Sequence, residues 1–108
     1  MFNMSIKEVD AVGLEQMRAQ GELVLIDVRT DAEFAQGSIQ GARHIPLHML
    51  PLVSDQLGNE KPMILICRSG ARSAQACAFL GSKGFTNVYN LRGGVIGWAQ
   101  AGKALAAA

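Results

Sequence analysis

The stretch Cys67-Arg68-Ser69-Gly70-Ala71-Arg72-Ser73 carries the residues best equipped for chemistry, a thiol and two arginines around a glycine. A free thiol has a pKa near ~8.5, so only a small fraction is thiolate at neutral pH. Arg68, Arg72 and the positive end of a following helix all favour the charged form. Gly70 lets the backbone curl, so that successive N–H groups can point inward as an anion nest. Cys67 is then a nucleophile, and Arg68, Ser69, Gly70, Ala71, Arg72 and Ser73 form a cradle for an anion. The competing reading is a small buried hydrophobe that ends a strand. Two arginines and a glycine so close to Cys67 argue against burial in apolar surroundings.

The flanking residues show how such a loop would be held. Met63-Ile64-Leu65-Ile66 runs into Cys67 as a short apolar run after Lys61-Pro62, which suits an inner strand of a parallel sheet. The Ala-rich run from Ser73 to Leu80 is a strong helix former. A loop between the carboxyl end of a strand and a helix N-terminus is where open α/β sheets bind ligands. Leu23-Val24-Leu25-Ile26 reads as a second inner strand, with Asp27 and Arg29 at its carboxyl end, on the same edge. Asp27 and Arg29 are expected to pin loops by hydrogen bonds and an ion pair rather than to react. Thr30-Asp31-Ala32-Glu33 fits a capping box, with Glu33 reaching back to Thr30 and also able to hold Arg29.

The remaining segments complete an alternation of strands and helices. Ser5 to Val9 reads as a short first strand, and Asp10 caps a helix through Leu14, Met17 and Arg18 that ends at Gln20-Gly21; Gly13 weakens it. Gln36-Gly37-Ser38 breaks the helix after the capping box, and Ala42 to Ile45 is a third strand stopped by Pro46. Leu47 to Leu57 reads as a helix or pair of turns interrupted by Pro51, and Gly58-Asn59 turns the chain back. Lys83 and Gly84 stop the helix after Cys67, and Asn87 to Asn90 is the last strand. Arg92-Gly93-Gly94 reads as a turn needing positive φ rather than a phosphate loop, since it lacks the three glycines of a dinucleotide fingerprint. Val95, Ile96 and Trp98 then pack a final helix, and Ala104 to Ala108 is expected to fray. The alternation implies a mostly parallel sheet covered on both faces.

Composition sets the bounds. The 108 residues suit one domain over 1–108 with a core at about 5–100, and the 49% apolar content supports a globule. A net charge of +1 makes no electrostatic case for nucleic acid or an anionic membrane. No apolar run approaches the ~20 residues of a membrane span, and the first residues lack a signal-peptide pattern, so the cytoplasm is expected. The two cysteines lie ten residues apart, at opposite ends of a loop-plus-helix unit, too far to bridge, and Cys77 is read as a buried helix residue. Neither His44 nor His48 has a cysteine at zinc-ligand spacing, so no metal is expected, and no cofactor is called for. His44 is read as a hydrogen-bonded loop anchor.

The loop from Cys67 to Arg72 resembles the six-residue active-site loop of rhodanese-family sulfurtransferases. Three further stretches are similar to the family in the same order: Leu25-Ile26-Asp27-Val28-Arg29 with Glu33, Gly41-Ala42-Arg43-His44-Ile45-Pro46, and Leu91-Arg92-Gly93-Gly94 followed by Trp98. The likeness runs from about Ile6 to Gln100. Ser38 and His44 depart from the family pattern, which often has histidine and asparagine there; neither change touches the sulfur chemistry. The resemblance implies a rhodanese-like α/β fold, a five-stranded mostly parallel sheet with helices on both faces. It implies a Cys67 persulfide formed from an anionic donor such as thiosulfate, and an acceptor that is cyanide, a small thiol or a protein thiol. Cysteine phosphatases of related fold place five residues between cysteine and arginine; here four separate Cys67 from Arg72, and Ser73 stands at the phosphatase arginine position. The shorter loop favours one extra sulfur atom over a phosphoryl or arsenate group. The remaining alternative, a rhodanese-like binding or sulfur-carrier module, is usual where the cysteine is lost, and here Cys67 is present.

Overall fold

Apolar runs too short for helices become the inner strands of one sheet in the computed structural model, which describes residues 6–107. The strands are β1 (Glu8–Val9), β2 (Val24–Asp27), β3 (Arg43–His44), β4 (Met63–Ile66) and β5 (Val88–Leu91), in the order β1-β5-β4-β2-β3. Every pairing is parallel. Each residue of β4 is buried, which explains its unbroken Met-Ile-Leu-Ile sequence: a strand covered on both faces has no wet side to alternate with. Its side chains alternate between two cores. Met63 and Leu65 join Ile26, Leu50, Ala76 and Leu80 on one face; Ile64 and Ile66 join Leu14, Leu25, Val95 and Trp98 on the other. Burying each large aliphatic side chain there stabilises the fold by about 1.5–3 kcal/mol.

The helices that cover these faces are α1 (Ala11–Gln20), α2 (Asp31–Ala35), α3 (Leu50–Val53), α4 (Ala71–Ser82) and α5 (Gly94–Gln100). Asp10 caps α1 by accepting the Gly13 N–H at 2.8 Å. The helix forms in spite of Gly13, which stands where α1 passes close to β1: a Cβ there would come 2.5 Å from Val9. The segment from Leu47 is a pair of 3-10 turns around α3. Pro51 starts that helix rather than interrupting it, in the first turn where its missing N–H has no partner to lose.

Four strand boundaries differ from the sequence reading: β2 runs one residue later, taking in Asp27, and β3 is only Arg43–His44. The last strand runs one residue later, because Leu91 still pairs with Val9. Of the expected first strand, Ser5 lies outside the described residues, and only Glu8 and Val9 pair. The end of the chain also departs from expectation. Residues from Ala104 to Ala107 do not simply fray: Ala106 exchanges both backbone hydrogen bonds with Ser38, and the Trp98 indole N–H donates to the Ala104 carbonyl.

From β2 the chain steps outward to β3, then returns on the other side of β2 as β4. That reversal opens a crevice at the carboxyl ends of β2 and β4, the usual ligand position in an open parallel sheet. Val28-Arg29 and the Cys67 loop both leave the sheet there.

Candidate active site

Cys67 follows the last residue of β4, and the loop closes at Gly70, whose φ of +108° lets the chain enter α4. Its shape is held from the side by α5. The Val95 N–H donates to the Cys67 carbonyl at 2.9 Å, and the Ile96 N–H to the Arg68 carbonyl at 3.1 Å. In a trans peptide the C=O and N–H point opposite ways, so tying the Arg68 carbonyl to α5 turns the Ser69 N–H towards the sulfur. Gly94 makes this approach possible: its φ is +59°, and a Cβ there would collide with the Cys67 and Arg68 carbonyls. The Gly93-Gly94 pair is thus a turn of positive φ and a point of backbone contact with the loop.

The sulfur is enclosed. Cys67 is 1% exposed, against the expectation that its arginines would keep it out of the core. The arginine side chains leave the loop outward while the sulfur points in. Its Sγ accepts the Gly70 N–H at 3.0 Å and faces the Ser73 hydroxyl at 3.2 Å. Burial pushes the thiol pKa up; the Ser73 hydroxyl and the backbone N–H groups of Ser73, Gly70 and Ser69 outweigh it and bring it below the ordinary value. Cys77, on α4, has burial without such donors and is pushed up to about 12, with Glu8 adding to the rise.

The two arginines are placed differently. Arg72 forms a bidentate pair with Glu33, at 2.7 and 2.8 Å. Glu33 also completes the capping box of α2, accepting the Thr30 N–H at 3.0 Å while Thr30 Oγ1 accepts the Glu33 N–H. The hydrogen bonds from Arg72 and then from Thr30 bring the Glu33 carboxyl down to about 2. Arg72 therefore braces α4 against α2. Arg68 is exposed, with no side-chain hydrogen bond or ion pair among the described residues.

Glu33 does not hold Arg29. Arg29 pairs instead with fully buried Asp27, through its backbone N–H at 3.0 Å and its guanidinium at 2.8 Å, and also donates to the Gly37 carbonyl. The Ser38 hydroxyl donates to the same Asp27 carboxylate at 2.6 Å. This cluster ties the end of β2 to the turn at Gly37. His44 stacks on Phe34 and its Nε2 lies 2.8 Å from the Arg29 carbonyl, away from the sulfur's partners. A cavity of about 580 Å³ opens beside the loop, lined by Val28, Thr30, Pro46, Leu47, His48 and Arg72 among others.

Sequence reasoning missed Asn90. It sits buried in β5, bonded to Ser73, and an asparagine inside an apolar strand was the available signal, since that residue is depleted in strands.

The family model of the Rhodanese-like domain matches residues 10–101. This chain is a member of the rhodanese-like domain family. It is 44% identical over 98 residues to a sulfurtransferase of Allochromatium vinosum, covering 90% of this chain and 92% of that one. It is 39% identical over 75 residues to the thiosulfate sulfurtransferase GlpE of Stutzerimonas stutzeri, covering 69% of each. Among solved structures, a rhodanese-like domain protein of Staphylococcus aureus superposes with a TM-score of 0.84 at 27% identity, covering 95% of this chain and 99% of that one. A thiosulfate sulfurtransferase of Pseudomonas aeruginosa superposes with a TM-score of 0.86 at 28% identity, covering 94% of this chain and 20% of that longer one. The fold is therefore rhodanese-like. No helix among the described residues of this rhodanese-like domain is long and apolar enough to cross a membrane.

Proposed function

We propose that this rhodanese-type sulfurtransferase moves sulfane sulfur from an anionic donor such as thiosulfate to cyanide or a thiol, through a persulfide on Cys67. In the first half-reaction the Cys67 thiolate attacks the outer sulfur of thiosulfate; the S–S bond breaks and sulfite leaves with its electron pair. The outer sulfur, now on Cys67, carries the negative charge. The backbone N–H groups between Arg68 and Ser73, with Gly70 and Ala71 at the turn into α4, stabilise that charge as an oxyanion hole stabilises oxygen. In the second half-reaction the acceptor attacks the outer sulfur and the Cys67 thiolate is regenerated. Neither step requires a general base.

The observation that carries this reading is the hydrogen-bonded, buried sulfur of Cys67, displaced towards the thiolate. The roles of the arginines divide. Arg68, exposed and unpartnered among the described residues, is the charge that meets the donor; Arg72, engaged with Glu33, fixes the loop. Asp27, Arg29 and Glu33 are supports. The cavity beside Arg72 exceeds what thiosulfate or cyanide fills, and it gives room for the body of a larger thiol acceptor, small-molecule or protein.

The test is steady-state turnover of thiosulfate with cyanide. The reading expects thiocyanate from the wild type and none from Cys67→Ser, with the circular dichroism of the variant unchanged. Turnover by the serine variant would reject the mechanism. Hydrolysis of an aryl phosphate at rates rivalling sulfur transfer would overturn the argument from loop length.

A further inference from the structure

Asn90 is 2% exposed in β5, and a polar side chain buried that deeply is tolerated when both its ends are paired. Its amide nitrogen donates to the Gly70 carbonyl at 3.1 Å and to the Glu8 carboxylate at 3.0 Å. Both partners are acceptors, so the nitrogen end must face them and Oδ1 must face Ser73. The Ser73 hydroxyl donates to that Oδ1, and the same hydroxyl lies 3.2 Å from Cys67 Sγ. A serine hydroxyl has a single proton. Two acceptors compete for it.

We propose that Asn90 is a positioning residue for the reacting sulfur, acting through Ser73: it holds the hydroxyl proton while Sγ is uncharged and yields it when Sγ becomes a thiolate. This rests on, and deepens, the persulfide chemistry above. Charge sets the direction, because a hydrogen bond to an ionised acceptor is roughly twice as strong as a neutral one. Beside a neutral thiol, or a persulfide whose charge lies on the outer sulfur, Asn90 Oδ1 is the better acceptor. When an acceptor such as cyanide takes the outer sulfur, thiocyanate forms, the S–S bond breaks and its electron pair passes to Sγ. The hydroxyl then turns to the new thiolate without any proton leaving the chain. A better-stabilised thiolate leaves faster. Asn90 also donates to the Gly70 carbonyl, one peptide beyond the Gly70 N–H that faces the sulfur, so one side chain holds both the end of the loop and the hydroxyl that answers the sulfur's charge.

The charged groups around this relay are few. Glu8 of β1 stands behind Asn90, Arg72 of α4 faces Cys67 but is paired with Glu33 of α2, and Asp27 with Arg29 closes the end of β2. Arg68 belongs to the loop itself, and α5 brings backbone N–H groups to the loop carbonyls.

The experiment is a double-mutant cycle read as the pH dependence of Cys67 alkylation by iodoacetamide, with the modified residue located by mass spectrometry. Ser73→Ala removes the donor and raises the apparent pKa of Cys67. Asn90→Ala releases the donor to the sulfur and lowers it, leaving about threefold more thiolate at neutral pH, a shift of about half a pH unit. In the Ser73→Ala background, Asn90→Ala has no such effect. Shifts of the same sign for the two single variants, or equal Asn90→Ala shifts in both backgrounds, would overturn the proposal. Should Asn90→Ala not fold, the isosteric Asn90→Asp serves: it makes a stronger competitor for the proton, so it raises the apparent pKa, and raises it less once Ser73 is alanine. Equal Asn90→Asp shifts in the two backgrounds would equally reject the relay. Alkylation is read without a sulfur donor, so failure of thiosulfate to form a persulfide would count against the proposed chemistry alone.

Discussion

Cys67 and Cys77 sit on one strand-loop-helix unit, in the same core cluster, at 1% and 3% exposure, and their thiols are displaced in opposite directions. Burial, with the Glu8 charge adding to it, explains Cys77: a charge there has no donor to replace water, and its pKa rises to about 12. Cys67 suffers the same burial but lies just before the first turn of α4, where backbone N–H groups have no partner within the helix and can be aimed at a sulfur. Ten residues later those groups are committed to helix carbonyls. What favours the thiolate at buried Cys67 is therefore not exposure but unspent donors, and the parts that keep them aimed are α5, Gly94 and Ser73.

Replacing each thiol in turn should separate the two most completely. Cys67→Ser should eliminate sulfur transfer, while Cys77→Ser should keep it and lose about 1–3 kcal/mol of stability, because a hydroxyl is left in an apolar site. Urea unfolding and thiocyanate assay of both variants measure this directly. A smaller but still severe effect is expected from Gly94→Ala. The new methyl drives the Cys67 and Arg68 carbonyls off α5, turning their peptides away from the sulfur, and kcat/KM should fall by about 100-fold. Iodoacetamide alkylation of Cys67 in that variant should move to higher pH, towards the behaviour of Cys77.

Glu33→Gln tests the brace rather than the donors. The Arg72 pair is partly exposed, so its loss should destabilise by about 1 kcal/mol at neutral pH. The Glu33 carboxyl is held at about 2, below its ordinary 4.5, so the unfolded chain takes up the proton first. The stability it contributes is complete above about pH 4.5 and is lost as the pH falls towards 2. The difference in stability between wild type and Glu33→Gln should accordingly hold from neutral pH to about 4.5 and shrink as the pH is lowered from there towards 2. The smallest effect is expected at Arg68, whose exposed charge acts on the donor alone. Arg68→Ala should raise KM for thiosulfate about fivefold with kcat little changed, and added salt should shrink the difference.

Much of this architecture is written locally. Met63 to Ile66, Thr30 to Glu33 and the Cys67 loop announce a buried strand, a capping box and a nucleophile's setting because each depends on residues within a few positions of one another. The partners that differ from expectation are distant in sequence. Arg72 finds Glu33 across 39 positions, and Asn90 finds Gly70 across 20, because β2, β4 and β5 lie side by side, which periodicity within one segment does not encode. The chain's end misled for a related reason: a small-residue tail reads as loose, yet Ala106 pairs through its backbone, which composition does not register. The burial of Cys67 is hidden in the sequence because its charged neighbours suggest an open site, although in a tight loop adjacent side chains point to opposite sides.

The proposed sulfur transfer requires that Cys67 become a persulfide. Intact mass of the wild-type protein before thiosulfate, after it, and then after cyanide tests that most directly. The protein should become one sulfur atom heavier with thiosulfate, on the peptide containing Cys67, and return to its starting mass with cyanide. No gain in mass from a reduced Cys67, or a gain located on Cys77, would contradict it.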